Sequence, residues 1–372
     1  MPQPRHIRLF AHLITTGNPM GGWRKPLAHE GGLHDIHYFL KMAQAAEAAK
    51  FDAVFFADGP GFRRVEGRDA FRRMDLGKPE PITLLSALAM GTRNIGLIAT
   101  ASTSFNAPCN IARKFAALDQ LSGGRAGWNA VTSPGENEAH NLNFDTLADH
   151  ATRYARIFYA DMKRRAAAFG RDPGHLLIMP SIQTVIGATE AEAQERAACL
   201  DSLIHPDLAL AWLQMSLGGV DLSGHPPDGP LPEIPPTKGG HSLRQGIIDQ
   251  ARRFGLSIRQ IAQHVAATRR GQRLVGTPEQ IADMLEHQFT TGAADGFVVS
   301  APWLPGALTE FIGTVVPILR QRGLFRDDYE GRTLRENLGL PQPANRFVET
   351  PALHVEPEIW LPPPKGPARA TH

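Results

Sequence analysis

The stretch Asn94–Ser133, NIGLIATASTSFNAPCNIARKFAALDQLSGGRAGWNAVTS, decides the fold because it holds a complete strand, helix, strand unit. The apolar run Gly96–Ala101 predicts a buried strand, Ile111–Leu121 an amphipathic helix and Ala126–Val131 a second strand. Both strands end in small polar residues, at Thr100–Ser104 and Asn129–Ser133. In an α/β barrel the C-terminal ends of the strands face the ligand, so chemistry is expected at these two places.

Working outward, Ile7–Leu13 reads as a first strand, followed by a turn-rich loop that carries Trp23. Asp35–Lys50 has apolar residues at helical spacing and leads into the apolar run Ala53–Ala57, closed by Asp58. Pro81–Met90 is the next helix. Strands of continuous apolar sequence, each preceded by an amphipathic helix, indicate a parallel sheet with helices outside it. A closed barrel and an open doubly wound sheet both fit this half of the chain. No GxGxxG follows the first strand and no GxxxxGK(S/T) occurs, which removes the simplest nucleotide-binding open sheets and favours the barrel.

Further on, the pattern predicts a helix over Tyr154–Phe169, a strand over Leu176–Ile182 and a helix from about Thr189. Leu217–His241 is dense in Gly and Pro and reads as an inserted loop or lid. Paired helices follow at Leu243–Phe254 and Ser257–Arg270. Thr277–Gln280 (TPEQ) starts a helix with a capping box and Pro at the first helical position. Gly296–Ser300 is the last strand and Gly306–Arg322 its helix. The expected organisation is a barrel domain over 1–323 with an insertion at 217–242, then an extended tail over 324–372 that wraps over the surface or a partner subunit.

Composition narrows the function classes. With 42% hydrophobic and 20% charged residues over 372 positions the chain can bury a large core, and a formal charge of +2 without long basic runs argues for small-molecule chemistry over nucleic acid. The opening MPQPRHIRLFAHL lacks the apolar core and cleavage site of a signal peptide, and no stretch is apolar for long enough to span a bilayer, so a cytoplasmic location is expected. Cys109 and Cys199 stand far apart without metal-type spacing; both read as ordinary small apolar residues, and no metal site is expected.

The segments FFAD (Phe55–Asp58), ATASTSF (Ala99–Phe105), ARKFAALDQLSGGRAGWNAVTS (Ala112–Ser133), the His150/Tyr154 pair and FYADMKRRAAAFGRDPGHLLIMP (Phe158–Pro180) together resemble the bacterial luciferase-like flavin monooxygenases. The resemblance is to the nitrilotriacetate and dibenzothiophene-sulfone branch. It continues through LVGTPEQIADMLEHQF, DGFVVS and LRQRGLFRDDYEGRTLRENLGLP, to about Phe347. It implies a (β/α)8 TIM-type barrel that binds reduced FMN supplied by a separate NAD(P)H-dependent flavin reductase, with O2 as co-substrate, and a homo-oligomer. By the same resemblance Asp58, Ser104, His150 and Tyr154 contact FMN, and His150 is the best titratable candidate for acid–base work.

The residues themselves allow plainer readings. Asp58 before Gly59 and Pro60 suits an Asx turn, Ser104 a loop hydroxyl, His150 a helix start and Tyr154 a packing residue. Asn129 and Trp128 line the pocket if the fourth strand turns Asn129 inward; otherwise Trp128 is a core residue. His12, at the end of the first strand, is a pocket residue or a packed histidine. Thr268–Arg273 (TRRGQR) is a solvated helix end or a phosphate partner.

The chain departs from the family between Tyr154 and Phe158, where RYARIFYADMKRR runs on as one helix. The resembling proteins carry there a fifth strand, its helix and a sixth strand, with a serine turn that helps hold the FMN phosphate. The expected barrel is therefore incomplete by about two strands. Arg270 or Arg273 is the candidate replacement for the missing phosphate turn. Two functions follow: an FMN-dependent monooxygenase acting on a small sulfur- or nitrogen-bearing compound, or a shortened, catalytically impaired flavin-binding or subunit-interaction protein of the same fold. A deazaflavin in place of FMN is a third option.

Overall fold

The protein is described here by a computed structural model, which covers residues 6–14, 21–25, 28, 35–59, 79–103, 106–131, 155–235, 241–269 and 272–342, with the backbone alone at 155–161 and 241–243. Seven strands form one sheet among these residues: β1 (Arg8–His12), β2 (Ala53–Phe56), β3 (Gly96–Ser102), β4 (Ala126–Val131), β5 (Ser181–Ile186), β6 (Gln272–Gly276) and β7 (Gly296–Val299). Their order is β4-β3-β2-β1-β7-β5-β6, and each pairing is parallel. Strands β4 and β6 are the two edges. The sheet is not closed, as expected for an incomplete barrel.

Helices α1 (Ile36–Ala48), α2 (Pro81–Gly91) and α3 (Pro108–Ser122) cross between the first four strands, and α4 (Ala155–Ala168) precedes β5. Asp35 caps α1 by accepting from His37 N–H, and the Glu80 carboxylate accepts from Ile82 and Thr83 at the start of α2. Between β5 and β6 lie α5 (Glu190–Ser202), α6 (Pro206–Ser216), α7 (His241–Phe254) and α8 (Ile258–Thr268). Helix α9 (Pro278–Thr290) leads to β7; α10 (Gly306–Gln321) and α11 (Leu334–Asn337) follow it. The capping box read at Thr277 and Gln280 is formed as expected.

Two elements differ from the sequence reading. The fifth strand is Ser181–Ile186 rather than Leu176–Ile182. Residues Ile178 and Pro180 do run beside β7, accepting from Asp295 and Val298, but Pro180 has no N–H to continue the ladder. The second difference is β6, which occupies part of the arginine-rich stretch read as a helix end. As an edge strand it tolerates exposed polar residues at its start, which hides the β pattern.

The main core lies between the sheet and the helices that cover its outer face, with Leu9, Val54, Leu97, Phe297 and Phe311 fully buried in it. A separate apolar cluster joins α6, α7 and α8 around Trp212, Leu213, Ile247 and Ile261. The described part of the Gly/Pro-rich insertion folds into this cluster: Leu222 and Ile234 are buried there, and buried Arg244 donates to the carbonyls of Ile234 and Pro235.

The inner face of the sheet carries a smaller cluster of Ala53, Ile98 and Leu334, with Phe10, Phe55 and Leu338 packed against it. Leu334 reaches it from the segment after α10, which runs beneath the N-terminal ends of the strands. A Cβ on Gly96 or Gly127 would meet the Leu334 side chain at 2.4 or 3.2 Å, so these glycines make room for the plug. Arg326 enters from the same segment and bonds buried Asp52. The described residues up to Leu340 belong to one compact unit.

Candidate active site

Strand registers order the inner face into rows. Phe10, Ala53, Gly96 and Val298 lie in one row; above it come His12, Phe55, Ile98 and Gly127, then Thr100 beside Asn129, then Ser102 beside Val131. The lower rows are apolar and sit on Leu334. The upper rows turn polar, at the C-terminal ends of β1, β3, β4 and β7 where a barrel places its chemistry. Phe10, His12, Phe55 and Asn129 are only half-buried, as befits a barrel interior that the sheet does not close around.

The polar groups are linked in pairs and chains. Asn129 Nδ2 donates to Thr100 Oγ1 at 3.0 Å. His12 Nδ1 lies 2.9 Å from Ser300 Oγ, which is 3.0 Å from Ser181 Oγ, and the His12 ring packs on Phe55 with centroids 4.8 Å apart. Asn106 Nδ2 donates to the carbonyl of buried Ser102 and so holds the turn after β3.

The loop after β1 forms part of the rim. Among its described residues the 3-10 turn Gly22–Arg24 docks on the end of α5 through Arg24, which donates to Leu203 O at 3.1 Å. Gly21 is needed for this approach, since a Cβ there would stand 2.8 Å from the Leu203 backbone. Lys25 lies over the Trp303 ring, 5.4 Å from its centroid.

Asp58 follows β2 and is half-buried at the same end of the sheet. Ser104, His150, Tyr154 and Arg270 lie outside the described residues. Asn129 shares the inner face with Gly127, as the pocket reading requires. Trp128 does not: it points to the other face, is 44% exposed and stacks on Phe115 of α3 at 5.5 Å, because β4 is an edge strand with no neighbour beyond it among the described residues. Arg273 is not a phosphate partner at the mouth. It sits in β6, where Asp201 Oδ1 at 2.7 Å and the Ala197 carbonyl hold its guanidinium against α5. Cys109 and Cys199 are exposed rather than packed as small apolar residues.

Sequence reasoning passed over Ser300 and Ser181. Ser300 carried a usable signal, a small polar residue directly after a buried strand, the same pattern that singled out the ends of β3 and β4. Ser181 gave none, because its strand was placed too early.

A model of the luciferase-like monooxygenase family matches residues 10–158 and 152–295. The chain belongs to that family. Its family consists of flavin-dependent monooxygenases, which places the chain among them. It is 34% identical to N-acetyl-S-(2-succino)cysteine monooxygenase of Bacillus subtilis (strain 168), over 93% of this chain and 99% of the relative. Identity to nitrilotriacetate monooxygenase component A of Aminobacter aminovorans is 33%, over 90% and 96%. Among solved structures, EDTA monooxygenase from Chelativorans sp. BNC1 superposes with a TM-score of 0.69 at 27% identity, covering 91% of this chain and 99% of that one.

The same comparisons locate the gap in the barrel. The alignment with the Bacillus subtilis relative runs over 442 positions, more than the 372 residues of this chain, so that relative carries sequence absent here. The two stretches matched to the family meet at residues 152–158, at the start of α4 and between edge strand β4 and strand β5. No helix among the described residues is long and apolar enough to cross a membrane.

Proposed function

We propose that the chain is an FMN-dependent monooxygenase that takes reduced flavin from a separate NAD(P)H-dependent reductase and oxygenates a small sulfur- or nitrogen-bearing compound. The observation that carries this reading is the row of polar groups at the strand ends above an aromatic floor, in a chain of this family. Hydroxyls of Thr100, Ser102 and Ser300, the Asn129 amide, the His12 imidazole and the Asp58 carboxylate are a donor and acceptor set suited to the polar edge of a flavin ring and to ribityl hydroxyls. Half-buried Phe55 and Phe10 supply apolar surface for the ring. The relatives support the substrate class and a second component: one is component A of a nitrilotriacetate monooxygenase and another is an N-acetyl-S-(2-succino)cysteine monooxygenase.

In this reading Asp58, Ser104, His150 and Tyr154 hold the flavin, and the protein functions as a homo-oligomer. Bound reduced flavin supplies the activation of O2 and the delivery of one oxygen atom to the substrate. The chain's own residues orient the ring, keep bulk water from it and hold protons at the strand ends, with His150 as the acid–base candidate. Leu334 closes the floor from below.

The open edge at β4 favours one alternative: a flavin-binding or subunit-interaction protein of this fold without turnover. Anaerobic titration with FMNH2, followed by a reductase-coupled assay of oxygen incorporation into carboxylated thioethers and amines, separates the two. Binding with substrate-dependent incorporation supports the enzyme; binding without incorporation selects the alternative. Absence of binding removes both.

A further inference from the structure

We infer that His12, Ser300 and Ser181 form a proton relay that leads from the reaction pocket to solvent, an assignment that rests on the pocket read above. The three residues come from three neighbouring strands, β1, β7 and β5, and lie in one hydrogen-bonded line: imidazole Nδ1 to Ser300 Oγ at 2.9 Å, Ser300 Oγ to Ser181 Oγ at 3.0 Å. Ser300, at the centre, is 1% exposed, whereas Ser181 and His12 at the two ends are half-buried. Parallel barrels fill such inner rows with branched aliphatic side chains, and a polar group buried in their place costs stability unless it is paired. Here three polar groups occupy such positions and are joined by two hydrogen bonds, which is the arrangement a relay needs.

A serine hydroxyl donates one hydrogen and accepts others, so the line has two complete orientations. In the first, His12 Nδ1–H donates to Ser300 Oγ and Ser300 donates to Ser181 Oγ. In the second, Ser181 donates to Ser300, Ser300 donates to Nδ1, and the imidazole carries its hydrogen on Nε2. A proton taken up at Nε2 converts the first into the second: the Nδ1 proton passes to Ser300 Oγ, that of Ser300 to Ser181 Oγ, and that of Ser181 to solvent water. Each bond broken is matched by one formed a step further along, and no electron changes hands. Oxygen transfer from reduced flavin consumes and releases protons, and this line supplies their exchange on the β1 side. The tautomer of His12 is thereby tied to a hydroxyl, Ser181, two hydrogen bonds away.

The test uses the full chain labelled with 15N-histidine, with the His12 resonances among the 15 histidines identified by their loss in His12→Gln. At a pH where the imidazole is neutral, the Nδ1 and Nε2 shifts report the tautomer. Ser181→Ala, which removes no contact of His12, is expected to shift the tautomer balance, as is Ser300→Ala, and Ser181→Thr is expected to restore it because it keeps the hydroxyl. An unchanged His12 signal in Ser181→Ala overturns the relay and leaves Ser300 as a local partner only. A second reading follows oxidation of protein-bound FMNH2 by O2 in H2O and D2O. The relay predicts a solvent isotope effect in the wild type that is lost in Ser181→Ala; the same effect in both proteins overturns its role in the reaction. Failure of the wild type to bind FMNH2 overturns the proposed function and the relay's use in it, and is recognised because the NMR coupling between Ser181 and His12 persists.

Discussion

Arg326 Nη2 lies 2.6 Å from Asp52 Oδ1, with both side chains at most 1% exposed, so the segment after α10 is fastened into the sheet by a fully desolvated ion pair. Asp52 Oδ2 also accepts from Leu9 N–H at 2.8 Å, and Arg326 donates to the Asn337 carbonyl. Arg8 approaches the same carboxylate at 3.5 Å. The pair thus joins β1, the start of β2 and α11 at the N-terminal end of the sheet.

Removing Arg326 leaves the buried Asp52 carboxylate with Arg8 alone at 3.5 Å, which costs about 3 kcal/mol, the low end for breaking a buried pair. Arg326→Met is expected to lower the unfolding free energy by that amount, read in urea as a lower midpoint at unchanged slope. The double variant Asp52→Asn/Arg326→Met is expected to recover part of the loss, so that a double-mutant cycle yields a coupling energy well above that of a surface pair.

Leu334 is the plug of the inner face, 7% exposed against Ala53, Ile98 and the glycines of β3 and β4. Leu334→Ala is expected to cost about 2–5 kcal/mol, with the denaturant slope unchanged because the same surface is still exposed on unfolding. Chemical denaturation measures both quantities in one experiment.

His264 of α8, an exposed side chain, adds a modest acid sensitivity to stability. Burial holds its imidazole below the ordinary value of 6.5; Asp201 pulls it up and Arg273 pushes it further down, and its Nε2 pairs with Gln250 at 2.9 Å. The folded state then binds the proton less tightly than the unfolded state, so the contribution of His264 is present above pH 6.5 and is lost as pH falls below it. The loss of Tm between pH 7 and pH 5 is expected to be smaller in His264→Gln than in the wild type, as read by thermal unfolding at matched ionic strength.

Under the proposed function Asp58 contacts the flavin directly. Replacing a carboxylate that accepts from a bound ligand by alanine is expected to weaken binding by about tenfold. Asp58→Ala is therefore expected to raise the Kd for FMNH2 in an anaerobic titration by that factor, while global stability changes by less than about 0.5 kcal/mol, as for a half-exposed side chain outside the core.

Strands β1 to β4 and β7 were legible in the sequence, β4 although it is an exposed edge strand, and the most continuous apolar runs belong to the most deeply buried of them. Ala53–Phe56, Gly96–Ser102 and Gly296–Val299 are continuous apolar runs, and burial alone writes that pattern. Strand β6 was illegible because an edge strand need not be apolar at its start, and Gln272 and Arg273 look like the tail of α8. At the site, Asp58, Thr100, Ser102 and Asn129 could be found by the strand-end rule. The chain His12–Ser300–Ser181 could not, because it depends on which strands are neighbours: β5 and β7 flank each other only through the sheet order, which no local pattern encodes. The opposite facing of Trp128 and Asn129 follows from strand alternation, but the exposure of Trp128 follows from β4 having no neighbour beyond it among the described residues.

The pairing of β1 with β7 also has a meaning in time. His12 and Ser300 are 288 positions apart, yet they share a hydrogen bond at the centre of the sheet. A ribosome adding about 5–20 residues per second needs on the order of tens of seconds to pass from one to the other. For that interval β1 can pair with β2 while its other edge waits for β7, exposing backbone groups that invite foreign strands. Closure of this long loop is then the step that commits the nascent sheet to its final order, and it is the step at which the cell has most reason to supply a chaperone.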